Sequence, residues 1–197
     1  ETGREARRLV AEGHFKIDGR VIRDYKFPVG LMDVIEVVDT GEVYRILPTP
    51  TKILWPHKIP GEEAVIKPCQ IKNKTTVRGG HIQLNLHDGR NIIVRVADPR
   101  NPVEDVYETM GTVLISLVDN KILDYIPLRE GVVVIVTGGR NVGRVGRVVE
   151  IIPSALKRKK HIVTLEDKAG RRFQTSLEYV FPVGVEKPAI SLYEGAW

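Results

Sequence analysis

Apolar and polar residues alternate over short stretches along most of this chain, and glycine or proline interrupts them every few residues. The sharpest alternation sets Ile82, Leu84 and Leu86 against Gln83, Asn85 and His87, between Gly79-Gly80 and Asp88-Gly89. Period two marks a half-buried strand, and the Asp-Gly pair marks a tight reversal, so residues 92–96 form the returning strand. The same logic predicts a hairpin of residues 15–17 and 20–22 about Asp18-Gly19, then a strand over 34–38. It also pairs 112–118 with 121–126 and 162–166 with 172–175, with 179–184 as a closing strand. Pro48, Pro50, Pro56 and Pro60 predict interrupted strands around 41–47 and 63–71. Only the start departs from period two. Ala6, Leu9 and Val10 recur at helical spacing between a capping Thr2 and a terminating Gly13, which turns Arg4, Arg7 and Arg8 outward.

One stretch carries candidate chemistry. Two β-branched runs, 131–136 and 148–152, flank Thr137-Gly138-Gly139-Arg140-Asn141-Val142-Gly143-Arg144-Val145-Gly146-Arg147. The glycines permit close backbone approach, and guanidinium groups at Arg140, Arg144 and Arg147, beside Asn141, suit phosphate oxygens. A plain hairpin with solvated arginines is the alternative. The pattern resembles the KOW motif of translation and transcription proteins, with its central glycine at Gly143. The run Lys157, Arg158, Lys159 and Lys160 follows and would extend a phosphate-binding face.

Composition narrows the partners. Among 197 residues the net charge is +5 and the pI near 9.3, which favours a polyanion. Cys69 is the only cysteine, so an internal disulfide and a cysteine-paired zinc site are excluded; it reads as a small buried hydrophobe. No apolar run suits a membrane span, and no signal peptide, Walker A loop, HExxH pair or nucleophile elbow is present. No cofactor is expected. The chain opens on Glu1 and reads as trimmed. Trp55 reads as a core or interface aromatic before a base-stacking one, and His81 and His87 as surface histidines.

The expected fold is mainly β with a small α+β N-terminal module, in several domains. Residues 1–45 form the N-terminal module, 46–127 a central antiparallel β domain, and 128–184 a small KOW-type β-barrel. The tail, 185–197, lacks periodicity and is expected to dock on a neighbour. Residues 4–35 resemble the αL RNA-binding motif, without its opening helix. They run through Gly13-His14-Phe15-Lys16-Ile17-Asp18-Gly19-Arg20-Val21-Ile22 to Met32-Asp33-Val34-Ile35. That resemblance implies RNA contacts from Arg4, Arg7, Arg8, Lys16, Arg20 and Arg23.

The whole order, with Lys74-Thr75-Thr76-Val77, the stretch from His81 to Asn91, and Lys187-Pro188-Ala189-Ile190-Ser191-Leu192, resembles the archaeal and eukaryotic small-subunit ribosomal protein family S-four-e, leaning to the archaeal branch. The resemblance implies a non-catalytic, cytoplasmic constituent of the ribosome. Its partners would be small-subunit ribosomal RNA and neighbouring ribosomal proteins, and it would be monomeric when free. Two alternatives stand beside it. One is a pseudouridine synthase, which shares the αL motif, although the Gly-Arg-Leu-Asp phrase is missing here. The other is a KOW-containing transcription factor, which would leave the αL segment unexplained.

Overall fold

The computed structural model describes residues 2–152 and 161–197. Helix α1 (Gly3–Glu12) begins where the Thr2 hydroxyl accepts the Glu5 amide at 3.4 Å. It ends at Gly13, whose left-handed φ of 91° lets its amide reach back to the last turn. The chain then enters a sheet of β1 (Phe15–Ile17), β2 (Arg20–Ile22), β3 (Val34–Val37), β4 (Glu42–Thr49) and β5 (Lys52–Ile59), ordered β2-β1-β3-β4-β5. Asp18 and Gly19 both take positive φ, 49° and 76°, as a two-residue hairpin with right-handed twist demands.

β5 was not expected as a strand because Pro56 lies inside it. As an edge strand it pairs on one side only, so the missing amide costs the sheet little. The first sheet therefore runs to Ile59, and a division at residue 45 cuts through β4.

The second sheet holds β6 (Ile66–Thr76), β7 (Ile82–Leu86), β8 (Asn91–Val94), β9 (Thr112–Ser116) and β10 (Ile122–Ile126), ordered β10-β9-β6-β7-β8. β6 is continuous over eleven residues, where an interrupted strand was expected. Residues 66–70 pair with β9 and residues 71–76 with β7, so the long strand joins two hairpins. The alternating face of β7 is buried with Cys69, Ile71, Val113 and Ile115.

The third sheet holds β11 (Val133–Val136), β12 (Val145–Ile152), β13 (Ile162–Glu166), β14 (Arg172–Ser176) and β15 (Val180–Gly184), ordered β14-β13-β12-β11-β15. β11 is apolar throughout because both its faces are covered. Val134 and Val136 pack with Leu114 and Ile126 of the second sheet, whereas Val133 and Ile135 pack with Met32 and Leu47 of the first. Four consecutive buried side chains thus weld three sheets into shared cores. The tail closes the second of these. Ile190 is buried there, with Leu192 and Trp197 packed against it, and the Ser191 amide donates to Glu63. It docks on its own chain.

Candidate nucleic-acid interface

The glycine-rich connection between β11 and β12 does not present its arginines as the sequence suggests. Gly143 is buried with φ 79°, and a Cβ there would overlap the Thr49 carbonyl carbon and the Pro50 nitrogen at the β4–β5 turn. The Tyr193 hydroxyl donates to the Gly143 carbonyl at 2.6 Å. The close backbone approach that glycine permits is thus made to protein at this position. Arg144 lies 3.6 Å above the Phe173 ring and donates to Asn141 and Asp167. Arg147 donates to the carbonyls of Gly131 and Glu186, at 2.6 and 2.9 Å. The Asn141 amide donates to the Gln174 carbonyl. Arg140 alone of the three arginines is exposed, the other two being half-buried.

Helix α1 is the opposite case. None of its residues is buried, and Arg4, Arg7 and Arg8 all face solvent. Arg8 pairs with Glu12 one turn on, a solvent-screened contact of little net worth. Arg7 stacks on Tyr25 at 4.6 Å, which fixes the guanidinium plane without neutralising it. Arg20 and Arg23 are exposed on and just after β2, while Lys16 is half-buried and paired to Glu36. The charge run at Lys157, Arg158, Lys159 and Lys160 lies outside the described residues.

Comparison with known proteins decides the family. Residues 40–122 match the ribosomal family S4e, and residues 1–35 match the S4 domain. The whole chain is 64% identical to small ribosomal subunit protein eS4 of Desulfurococcus amylolyticus and 62% identical to that of Staphylothermus marinus, covering 78% of each. This chain belongs to the S4e family. The S4e protein of Methanocaldococcus jannaschii is 45% identical over 192 residues, 98% of this chain and 77% of that relative. The crystal structure of 30S ribosomal protein S4e from Thermoplasma acidophilum superposes with a TM-score of 0.75 at 31% identity, covering 92% of this chain and 85% of that one. S4e proteins are structural components of ribosomes, so the enzyme alternative is set aside. Among the described residues no helix is long and apolar enough to cross a membrane.

The S4e chain also holds a charge cluster that sequence reasoning missed. Lys67 on β6 is 1% exposed, with its ammonium 2.6 Å from Asp18, 2.6 Å from Asp33 and 3.1 Å from Asp88. Arg90 pairs with Asp18 and Asp88 from the same side. Asp18 and Asp33 belong to the first sheet's connections and the other three to the second sheet, so the cluster bolts one sheet to the other. Burial opposes the Lys67 charge, but Asp18 and Asp33 outweigh it and raise its pKa. Burial likewise opposes ionisation of Asp88, and Lys67 with the Arg90 amide overcomes it and lowers its pKa. Only the five scattered positions are visible in sequence; no spacing announces them.

A cleft of about 750 Å³ opens beside this cluster, lined by Arg20, Phe27, Asn91 and Asn120 among others. Cys69, His87 and Asp88 lie close enough there to suggest a metal. The donor set does not fit one. His87 Nδ1 accepts the Gln70 amide, so Nε2 carries the proton and donates to the Leu31 carbonyl at 3.1 Å, leaving no free lone pair. Asp88 is already held by two cations, and burial pushes the Cys69 thiol up. The histidine, set edge-on against Phe181 at 5.3 Å, is a structural group rather than a surface one. His81 likewise accepts the Val96 amide.

Proposed function

We propose that this chain is a structural constituent of the small ribosomal subunit that binds ribosomal RNA chiefly through α1 and the adjoining β1–β2 hairpin. The carrying observation is that Arg4, Arg7, Arg20 and Arg23 are exposed and form no ion pair among the described residues. A helix without a buried face gains little stability from this fold, and its unneutralised cations suit a phosphate backbone. The names of the relatives, small ribosomal subunit protein eS4, agree with this assignment. We read the third sheet as a KOW-type barrel whose RNA contact is carried by Arg140, with Arg144 and Arg147 positioning the loop. Neighbouring ribosomal proteins are further partners, the free chain is monomeric, and its site of action is the cytoplasmic ribosome.

The test is a filter-binding titration of the full chain against transcribed small-subunit RNA over a salt series. Each phosphate neutralised contributes about −0.7 to −0.9 to the log-log slope. Changing Arg7 and Arg8 to alanine should flatten the slope by one to two such steps, with the unfolding midpoint unchanged. A slope that does not move would remove α1 from the interface.

A further inference from the structure

Residues 51–56 are exposed without a break, although residues 52–56 lie within strand β5. Ile53, Leu54 and Trp55 retain 68%, 45% and 46% of their exposure. Neighbouring side chains on a strand point to opposite faces, so this end of the β4–β5 hairpin projects apolar groups on both sides. Single exposed apolar residues are ordinary, but three in succession on a sheet edge form a surface that calls for a partner.

Two observations select the partner. Pro56 removes an amide from the middle of the free edge, which disfavours addition of a strand from another protein. From residue 48 to residue 61 there is no aspartate or glutamate, whereas Lys52, His57 and Lys58 are present; Lys58 is paired to Glu42 of β4 at 2.6 Å. Lys52 forms no ion pair among the described residues; its ammonium sits 3.2 Å from the centroid of the Trp55 ring. The turn at Thr49 and Pro50 also abuts Gly143, which brings the hairpin beside the loop that carries the exposed Arg140. An indole with a cation fixed over one face, in a segment free of acids, has the chemistry of a base-stacking platform.

We propose that the β4–β5 hairpin is a second RNA-binding element, in which an unpaired base stacks on Trp55 and Lys52 turns to the neighbouring phosphate. The inference rests on the RNA-binding reading above and adds to it a contact of a different kind, one made by a ring rather than by charge.

Trp55 and Trp197 are the only tryptophans, so Trp197→Phe leaves Trp55 as the sole reporter. Titrating that full chain with transcribed small-subunit RNA should quench its fluorescence at saturation. In separate chains Trp55→Ala should weaken binding at least about 5-fold, the low end of what one base stack contributes, and Trp55→Phe by less than half that factor on a logarithmic scale. Unaltered unfolding of both variants is expected from the exposure of the site. If RNA binds with no quench and Trp55→Ala binds as tightly as the parent, the platform is refuted while the α1 reading stands. If the parent chain does not bind RNA at all, both fail. Quenching that appears only on adding neighbouring ribosomal proteins would also overturn the proposal, assigning the hairpin to a protein contact.

Discussion

Helix α1 and the glycine-rich loop with its flank each carry three arginines, and they dispose of them in opposite ways. On α1 the guanidinium groups face water because no side of the helix is buried. At the loop the backbone turns sharply at a junction of three sheets, and carbonyls at the ends of strands need donors. Arg147 supplies two of them and Arg144 bridges Asn141 to Asp167. A basic motif therefore reports cations, but the packing around it decides whether they remain available to a phosphate.

The largest expected effect tests the extreme of internal use. Lys67→Ala leaves Asp18 and Asp88 with Arg90 as their one cation and Asp33 without an ion pair among the described residues, and should cost about 3–5 kcal/mol in a denaturant titration. The same cluster gives the parent chain an acid limit. Asp88 has a lowered pKa in the folded chain, so its contribution is complete above its ordinary value of 3.8 and is lost as pH falls through the lowered one. The Asp88 share is read as the difference in unfolding stability between the parent chain and Asp88→Asn, which should stay constant from pH 6 to about pH 4 and shrink below it. A difference that already shrinks at pH 5 would contradict this account.

Next in size is Gly143→Ala. The left-handed φ and the overlap with Thr49 and Pro50 together should cost at least about 2 kcal/mol, read as a lowered melting temperature. A neutral result would mean that the loop does not rest on the β4–β5 turn.

The comparison itself is sharpened by a crossed pair. Arg144→Ala with Arg147→Ala should lower stability by about 1–2 kcal/mol while changing the salt slope of RNA binding little. Arg4→Ala with Arg7→Ala should do the reverse, shifting stability by less than about 0.5 kcal/mol and flattening the slope. Equal behaviour of the two pairs in both assays would erase the distinction.

The smallest effect belongs to His14. Its ring nitrogen lies 2.7 Å from Asp39 and its pKa is raised by that hydrogen bond, with Glu12 adding to it. The stabilisation is full below the ordinary histidine value and disappears as pH rises through the raised one. A proton NMR titration should place the His14 midpoint above that of a denatured control, and Asp39→Asn should bring the two together.

Local rules carried far in the sequence and long-range ones did not. Thr2, Gly13, Asp18-Gly19 and the alternation at 82–86 act within a few residues, and each forms the cap, turn or strand its chemistry dictates. β5 was hidden because a proline rule ignores whether the unpaired amide faces a neighbour or solvent. The Lys67 cluster was hidden because its members come from four separate turns and strands and meet only after folding. The loop arginines looked free for the same reason: the carbonyls they satisfy are up to 39 residues distant.

The clasp between the tail and the first sheet has a consequence for how the molecule is made. Ser191 meets Glu63 across 128 positions of chain, and Gln70 meets Val180 across 110. At about 5–20 residues per second, roughly ten seconds separate the synthesis of one partner from that of the other. For roughly the first half of that interval Met32 and Leu47 lack Val133, and until near its end they lack Phe181 and Ile190, the groups that later cover them. The nascent first sheet therefore waits with a sticky face, and any factor that shields it on the way out of the translating ribosome would act on those two residues.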